Sequence, residues 1–262
     1  MPFLARFRAL PDKDKASLVR KLMENGTPDF DYFYLIGLST VMASLGLLLD
    51  SGAIVIGSML IAPLMYPVLG VALGLVMMGH NIAVLQRAFR TLTKSLGAGL
   101  FLATIAAFFF ANDETYRTSE VLSRIDPNHL HLLVALVAGA AVAYMLARPE
   151  WGDALPGVAI SVALIPPLAT MGIGIAEFDA EVIRGATMLL LLNLFGIIAI
   201  AVIIFLLMNL GDKQNIAEST IKREEEKLES ETKAIAEVTE QITVKTHTET
   251  DAVIIEDRIV EK

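Results

Sequence analysis

The chain has 262 residues, 55% hydrophobic and 19% charged, with a mean hydropathy of +0.60; that much apolar surface excludes a water-soluble globular protein. The formal charge of −8 is not spread evenly, because residues 211–262 hold 8 Lys and Arg against 14 Asp and Glu. Cysteine is absent, which rules out disulfides, thiolate metal sites and cysteine nucleophiles, and no basic stripe favours nucleic acid.

Residues 1–31 mix six basic with five acidic side chains and hold no long apolar core of the kind a cleavable signal needs. Phe3, Leu4, Phe7 and Leu10 share one side, which suits an amphipathic segment on the membrane interface or a packed cytoplasmic cap. The first span is expected over about 32–49, with Tyr32 and Tyr34 at the level of an interfacial aromatic belt. It ends at Asp50-Ser51-Gly52.

Residues 52–78, GAIVIGSMLIAPLMYPVLGVALGLVMM, form an uncharged run with Pro63 and Pro67 near its middle. As a helix it would extend about 40 Å, more than the roughly 30 Å of a hydrocarbon core. A proline inside a helix removes a donor and pushes away the carbonyl four residues earlier. Lipid tolerates that only where protein or a wet cavity satisfies the freed groups. A second broken membrane helix is expected at 154–176, around Pro166-Pro167.

Between and after these two elements lie the other expected pieces. They are a basic connection at 79–94 (Arg87, Arg90, Lys94), a span at about 95–111, a polar loop at 112–128 and a span at about 129–147. A charged turn at 148–153 holds the sole tryptophan, Trp151, and an acidic loop at 177–184 precedes the last span at about 186–208.

Shifting the chain by 103 residues superposes Asp50 on Asp153, Ser58 on Ser161 and Pro63 on Pro166, which points to an internal duplication; Thr170 stands opposite Pro67. The expected fold is an all-α polytopic membrane protein. It has about six transmembrane helices as two inverted three-helix repeats, helices 2 and 5 broken at prolines, and a soluble C-terminal tail. The divisions are a cytoplasmic or interfacial segment 1–31, a first repeat 32–111, an external loop 112–128, a second repeat 129–210 and an acidic tail 211–262. With six crossings and both termini cytoplasmic, the inner segments before the tail hold ten basic residues and the outer loops three. The expected location is the cell membrane.

In the tail, Ile221, Leu228, Ile235 and Ile242 fall seven apart, as a coiled-coil seam or a single greasy stripe on a solvated helix would place them. The alternation of 242–262 suits a β-hairpin or a disordered end.

An inverted pair of discontinuous helices is the arrangement in which secondary transporters bind substrate near the midplane. Broken ends expose backbone groups and helix dipoles that can hold an ion. Ser58, Pro63, Tyr66, Pro67, Ser161, Pro166, Pro167 and Thr170 are therefore candidate substrate-binding residues. Asn193, an amide in an otherwise apolar span, needs a partner and serves as helix glue or as a ligand contact. The competing reading of the prolines is a pair of kinks in tightly packed helices, with Gly57, Gly70, Gly74, Gly172 and Gly174 permitting close approach. Asp50 and Asp153 cap the broken helices by position, with ion coupling as their second reading. His80 is a further titratable candidate. His129 and His131 are two apart, a poor spacing for a metal site, and no motif for catalysis or for a cofactor is present.

The blocks GSMLIAPLMYPVLGVALGL at 57–75, GVAISVALIPPLATMGIGIA at 157–176 and GATMLLLLNLFGI at 185–197 resemble the domain-of-unknown-function 389 family, hydrophobic membrane proteins of bacteria and archaea. The resemblance spans roughly residues 32–208. It implies a polytopic membrane fold and assigns no activity. Many members carry an acid where His80 stands, and several have a soluble domain that the short segment before residue 32 does not provide.

The expected function is a secondary transporter or carrier for a small molecule or ion, with its site between the two broken helices. The alternative is a non-transporting membrane scaffold or sensor acting through the acidic tail. An enzyme is not expected. The glycine faces and the tail stripe also suit a homo-oligomer.

Overall fold

The computed structural model describes residues 11–79, 82–111, 116–147 and 154–236, without the side chains of 154–163. Among the described residues there are helices and connecting turns only. They divide into two units, one up to Ile221 and one from Lys222 onward.

In the first unit, α1 is Asp12–Glu24, α2 Phe30–Leu48, α3 Gly52–Met59, α4 Met65–Met77 and α5 Ala83–Phe110. The short α6 (Ser119–Leu122) precedes α7 (His129–Leu146), α8 (Ala154–Ala176) and α9 (Ala180–Leu207). A 3₁₀ turn at Gly211–Lys213 leads into helical residues 214–221. The second unit is helical over 222–236, carries i,i+4 pairs Lys222–Glu226 and Lys227–Glu231, and leaves Ile235 exposed. Ile242 and the hairpin expectation lie outside the described residues, as do Phe3, Leu4, Phe7, Leu10 and Trp151.

Four helices, α2, α5, α7 and α9, are long and apolar enough to cross a bilayer. Their outward faces are greasy: Phe101, Phe108 and Phe109 on α5, Leu133 and Val137 on α7, and Leu191 and Phe195 on α9 are all exposed. Water would not leave such a belt uncovered, whereas acyl chains match it. This is a membrane protein.

Helix ends are set by local chemistry. Asp29 accepts from Tyr32 N–H, Asn128 from Leu130 and His131 N–H, and Asp179 from Glu181 and Val182 N–H, each closing a first turn. Three helices stop on a left-handed residue, Asp50, Phe178 and Asn209, with φ of 53°, 54° and 56°. At each, the following N–H reaches back to the carbonyl five residues before it (Ser51 to Gly46, Asp179 to Gly174, Leu210 to Phe205).

The helices pack as a bundle with two distinct ends. At one, the α2–α3 turn and the α8–α9 turn meet the segment between α5 and α7. At the other, the Arg87 guanidinium donates to Ile221 O and Thr27 Oγ1, both at 3.0 Å, which joins the start of α5 to the start of α2 and the chain beyond α9. α2 and α5 therefore run toward the first end, and α3 followed by α4 returns. Lys213 pairs with Asp12 at 2.9 Å beside Arg87's end, and α1 buries Leu18, Leu22 and Met23. α1 packs on α4, the packed-cap reading of its segment. Arg87, Arg90 and Lys94 ride on α5 itself, so the expected connection at 79–94 is largely helix. Tyr32 turns inward, 5% exposed, and bonds Ser95 Oγ at 2.8 Å, whereas Tyr34 stays outside.

The first proline element is interrupted and the second is not. α3 ends at Met59 and α4 begins at Met65. α8 passes unbroken through Pro166 and Pro167, which corrects the expected break in helix 5. Its adjacent prolines remove donors to neighbouring carbonyls of a single turn, 162 and 163, so the disturbance stays local. Around them α8 is clamped: Leu164, Ile165, Leu168, Ala169 and Ile173 are fully buried. A Cβ on Gly172 would stand 2.7 Å from Ala103 Cβ and 2.9 Å from its carbonyl carbon, so the two backbones meet there.

Candidate functional site

α5 packs on α8, and α9 packs on α4, so each candidate repeat lays its third helix on the central element of the other. α2 also packs on α8, but α7 has no comparable contact with α3 or α4. A cavity of about 590 Å³ occupies that gap. Its walls are Ile56 and Met59 of α3, Val134 and Ala138 of α7, Pro166 and Pro167 of α8, and Leu189 and Asn193 of α9. Ser123, Arg124 and His131 close its end nearest the α8–α9 turn. Asn193 stands fourteen residues past the Asp179 cap, about 20 Å along the helix, so the cavity reaches toward the middle of the bundle.

Pro166, Pro167 and Asn193 are thus brought together, and Met59 carries the edge of the α3–α4 interruption to the same wall. The other candidates are not. Tyr66 and Pro67 lie on the far side, against Leu22, Met23 and Arg87 in a crevice of about 10 Å³. Pro63 lies within the interruption and is no part of the cavity wall. Ser58 is buried and its hydroxyl donates to Val55 O at 2.6 Å, while Ser39 Oγ donates to Ser58 O at 2.7 Å. The carbonyl end of the interruption is therefore satisfied by α2, not by an open cavity. Thr170 is fully buried, and its hydroxyl has no partner among the described residues. Ser161 lies on α8 with its side chain undescribed; His80 and Asp153 fall outside the described residues.

Asp50 corrects another expectation. Ser51 precedes α3 and makes no side-chain cap, and Asp50 reaches across to α6. It accepts from Ser119 Oγ and from Glu120 N–H, each at 2.8 Å. Those bonds, the backbone one foremost, hold its carboxyl below the ordinary aspartate range. Asp179 has a matching role on the other turn. Its Oδ2 accepts from Tyr116 OH at 2.8 Å and from Arg117 Nε at 2.9 Å, and Arg117 also bonds Glu181. Burial works to raise the Asp179 carboxyl, but these donors and Val182 N–H outweigh it and keep it low. The Arg117 guanidinium is held above its usual value by Tyr116, Asp179 and Glu181.

Residues 116–125 therefore form a strap tied to both turns. Thr118 Oγ1 also donates to Leu47 O at 2.7 Å, Val121 is buried, and Arg124 pairs with Glu120 at 2.7 Å. Sequence reading passed over Ser123, Arg124 and His131 as site residues. The available signals were the Glu120–Arg124 spacing of four and the Asn128–His131 capping box, which locate helix starts but not a cavity. His131 Nδ1 lies 3.0 Å from Asn128 Oδ1, and the ring reaches the cavity wall. Among the described residues, no group of three His, Asp or Glu is placed to hold a metal ion.

The model of the family described as "Domain of unknown function (DUF389)" matches residues 59–199. Every cavity residue named above except Ile56 falls within that match. An uncharacterized protein of Methanocaldococcus jannaschii is 31% identical over 168 residues, 64% of this chain and 51% of the relative. The chain thus spans about half the length of the curated relative it matches. No solved structure matches.

Proposed function

The chain belongs to the DUF389 family, and from that premise we propose that it is a secondary carrier of the cell membrane, working on a small molecule or ion in the cavity between α3, α7, α8 and α9. It crosses the bilayer six times, with α3 and α4 together as the second crossing and α8 as the fifth. The strap end faces outward and the Arg87 end faces the cytoplasm, where the basic residues concentrate. The halves α2–α5 and α7–α9 are inverted copies, and transport proceeds by rocking one against the other without a catalytic step.

The observation that carries this reading is the cavity itself. It lies where α7 does not pack on α3 or α4, and the proline pair of α8 and the Asn193 amide of α9 both line it. Among the described residues of its wall, the formal charge is that of Arg124, which is paired with Glu120.

Alternating access is testable without knowing the cargo. In sealed, oriented vesicles, a cysteine replacing Asn193 in this cysteine-free chain reacts with a membrane-impermeant maleimide from either side if the cavity opens alternately. Reaction from one side only rejects the carrier and returns the protein to the tail-dependent scaffold.

A further inference from the structure

We infer that the strap, residues 116–125, is the external gate of the cavity, held shut by two carboxylates that belong to different halves of the molecule. This takes the cavity to be the carrier site proposed above and adds how its outer mouth is controlled.

Three observations converge. Ser123 and Arg124 belong both to the strap and to the cavity wall, so a departure of the strap widens the cavity at that end. The strap is tied to the first half through Asp50, at the α2–α3 turn, and to the second through Asp179 and Glu181, at the start of α9. It also sits close on both: a Cβ at Gly52 would meet Glu120 Oε1 at 2.8 Å, and one at Gly185 would meet Ile125 O at 2.1 Å. A relative movement of the halves changes the distance between the two ties and cannot leave the strap untouched.

The ties also differ in kind from the bundle beneath them. α8 and α9 are held by buried apolar contact. The strap is held by side-chain hydrogen bonds and ion pairs near the surface and by a few apolar contacts, Val121 buried and Tyr116 and Ile125 packed against the core. Water replaces such surface bonds at small cost, so the strap opens far more readily than the helices part. Lids over binding sites draw on the same low-stability class of contact. Asp179 divides its work: Oδ1 caps α9 through Glu181 and Val182 N–H, while Oδ2 holds Tyr116 and Arg117. The tie can therefore be released without uncapping the helix.

The test uses the full-length chain in sealed vesicles with a single cysteine at Ala138, on the cavity wall. A membrane-impermeant maleimide is applied from the strap side. Arg117→Ala leaves the α9 cap intact, Asp50→Asn weakens the other tie, and the double variant removes both. Gel filtration and thermal unfolding in detergent establish that each is folded. The expected result is labelling of Ala138→Cys accelerated roughly fivefold by either substitution and more by both. Labelling rates equal to or below that of the parent overturn the gate. Failure of the carrier itself is read separately, from one-sided reaction of Asn193→Cys, because the gate experiment does not depend on access from the cytoplasm.

Discussion

The two proline elements are both uncharged apolar runs and came out differently. α3 and α4 are separated by five residues around Pro63, whereas α8 runs whole through two adjacent prolines. Spacing explains part of it. Prolines four apart set Pro63 against Met59 O and Pro67 against Pro63 O, so successive turns are disturbed. Adjacent prolines strike the same turn. Surroundings explain the rest: Ser39 of α2 donates to Ser58 O where α3 ends, and α5 meets α8 at Gly172 too closely for it to bend away. A proline doublet in a membrane helix is thus compatible with continuity when the flank is clamped.

Substitutions can break that contrast, in descending order of effect. Gly172→Leu forces a side chain into the backbone of Ala103 and is expected to destabilise the bundle by about 3 kcal/mol, read from unfolding in mixed micelles. Ser39→Ala leaves the Ser58 carbonyl with the Ile61 N–H as its remaining donor and should cost about 1 kcal/mol, with faster amide exchange confined to 58–64. Replacing Pro166 and Pro167 together with alanine restores two backbone donors and should stabilise by about 1 kcal/mol. Pro63→Ala alone should leave α3 and α4 separate, because Pro67 still opposes residue 63; slow exchange across 60–64 would show instead that they had fused.

The smallest effect expected is that of pH on the strap. Asp50 and Asp179 titrate below the ordinary value of 3.8, so their contribution is complete above it and fades only as pH falls through their lower folded values. Protection of the Glu120 amide should therefore hold across about pH 5 to 8 and fall only in stronger acid.

The membrane class and the four long helices were legible because each is written in consecutive residues. Hydropathy and missing donors act locally. What stayed hidden needed partners far apart in the chain. Asp50 was read as a cap for the helix after it, and only the fold carries it to Ser119 and Glu120. Tyr66 and Pro67 shared a sequence block with Ser58 but face α1, because α4 turns that side toward Leu22 and Met23. Asn193 lines the cavity, and Arg124 joins it from a segment whose composition suggested only a polar connection. Spacing records which groups are short of partners, not which neighbours will supply them.

Arg87 has a further consequence. One guanidinium grips residues 27 and 221, so the N-terminal cap and the root of the acidic segment share a single fulcrum on α5. A shift of α5 along its axis must drag both segments with it. The position of the chain at Ile221 is thereby a mechanical reporter of what the buried helices are doing.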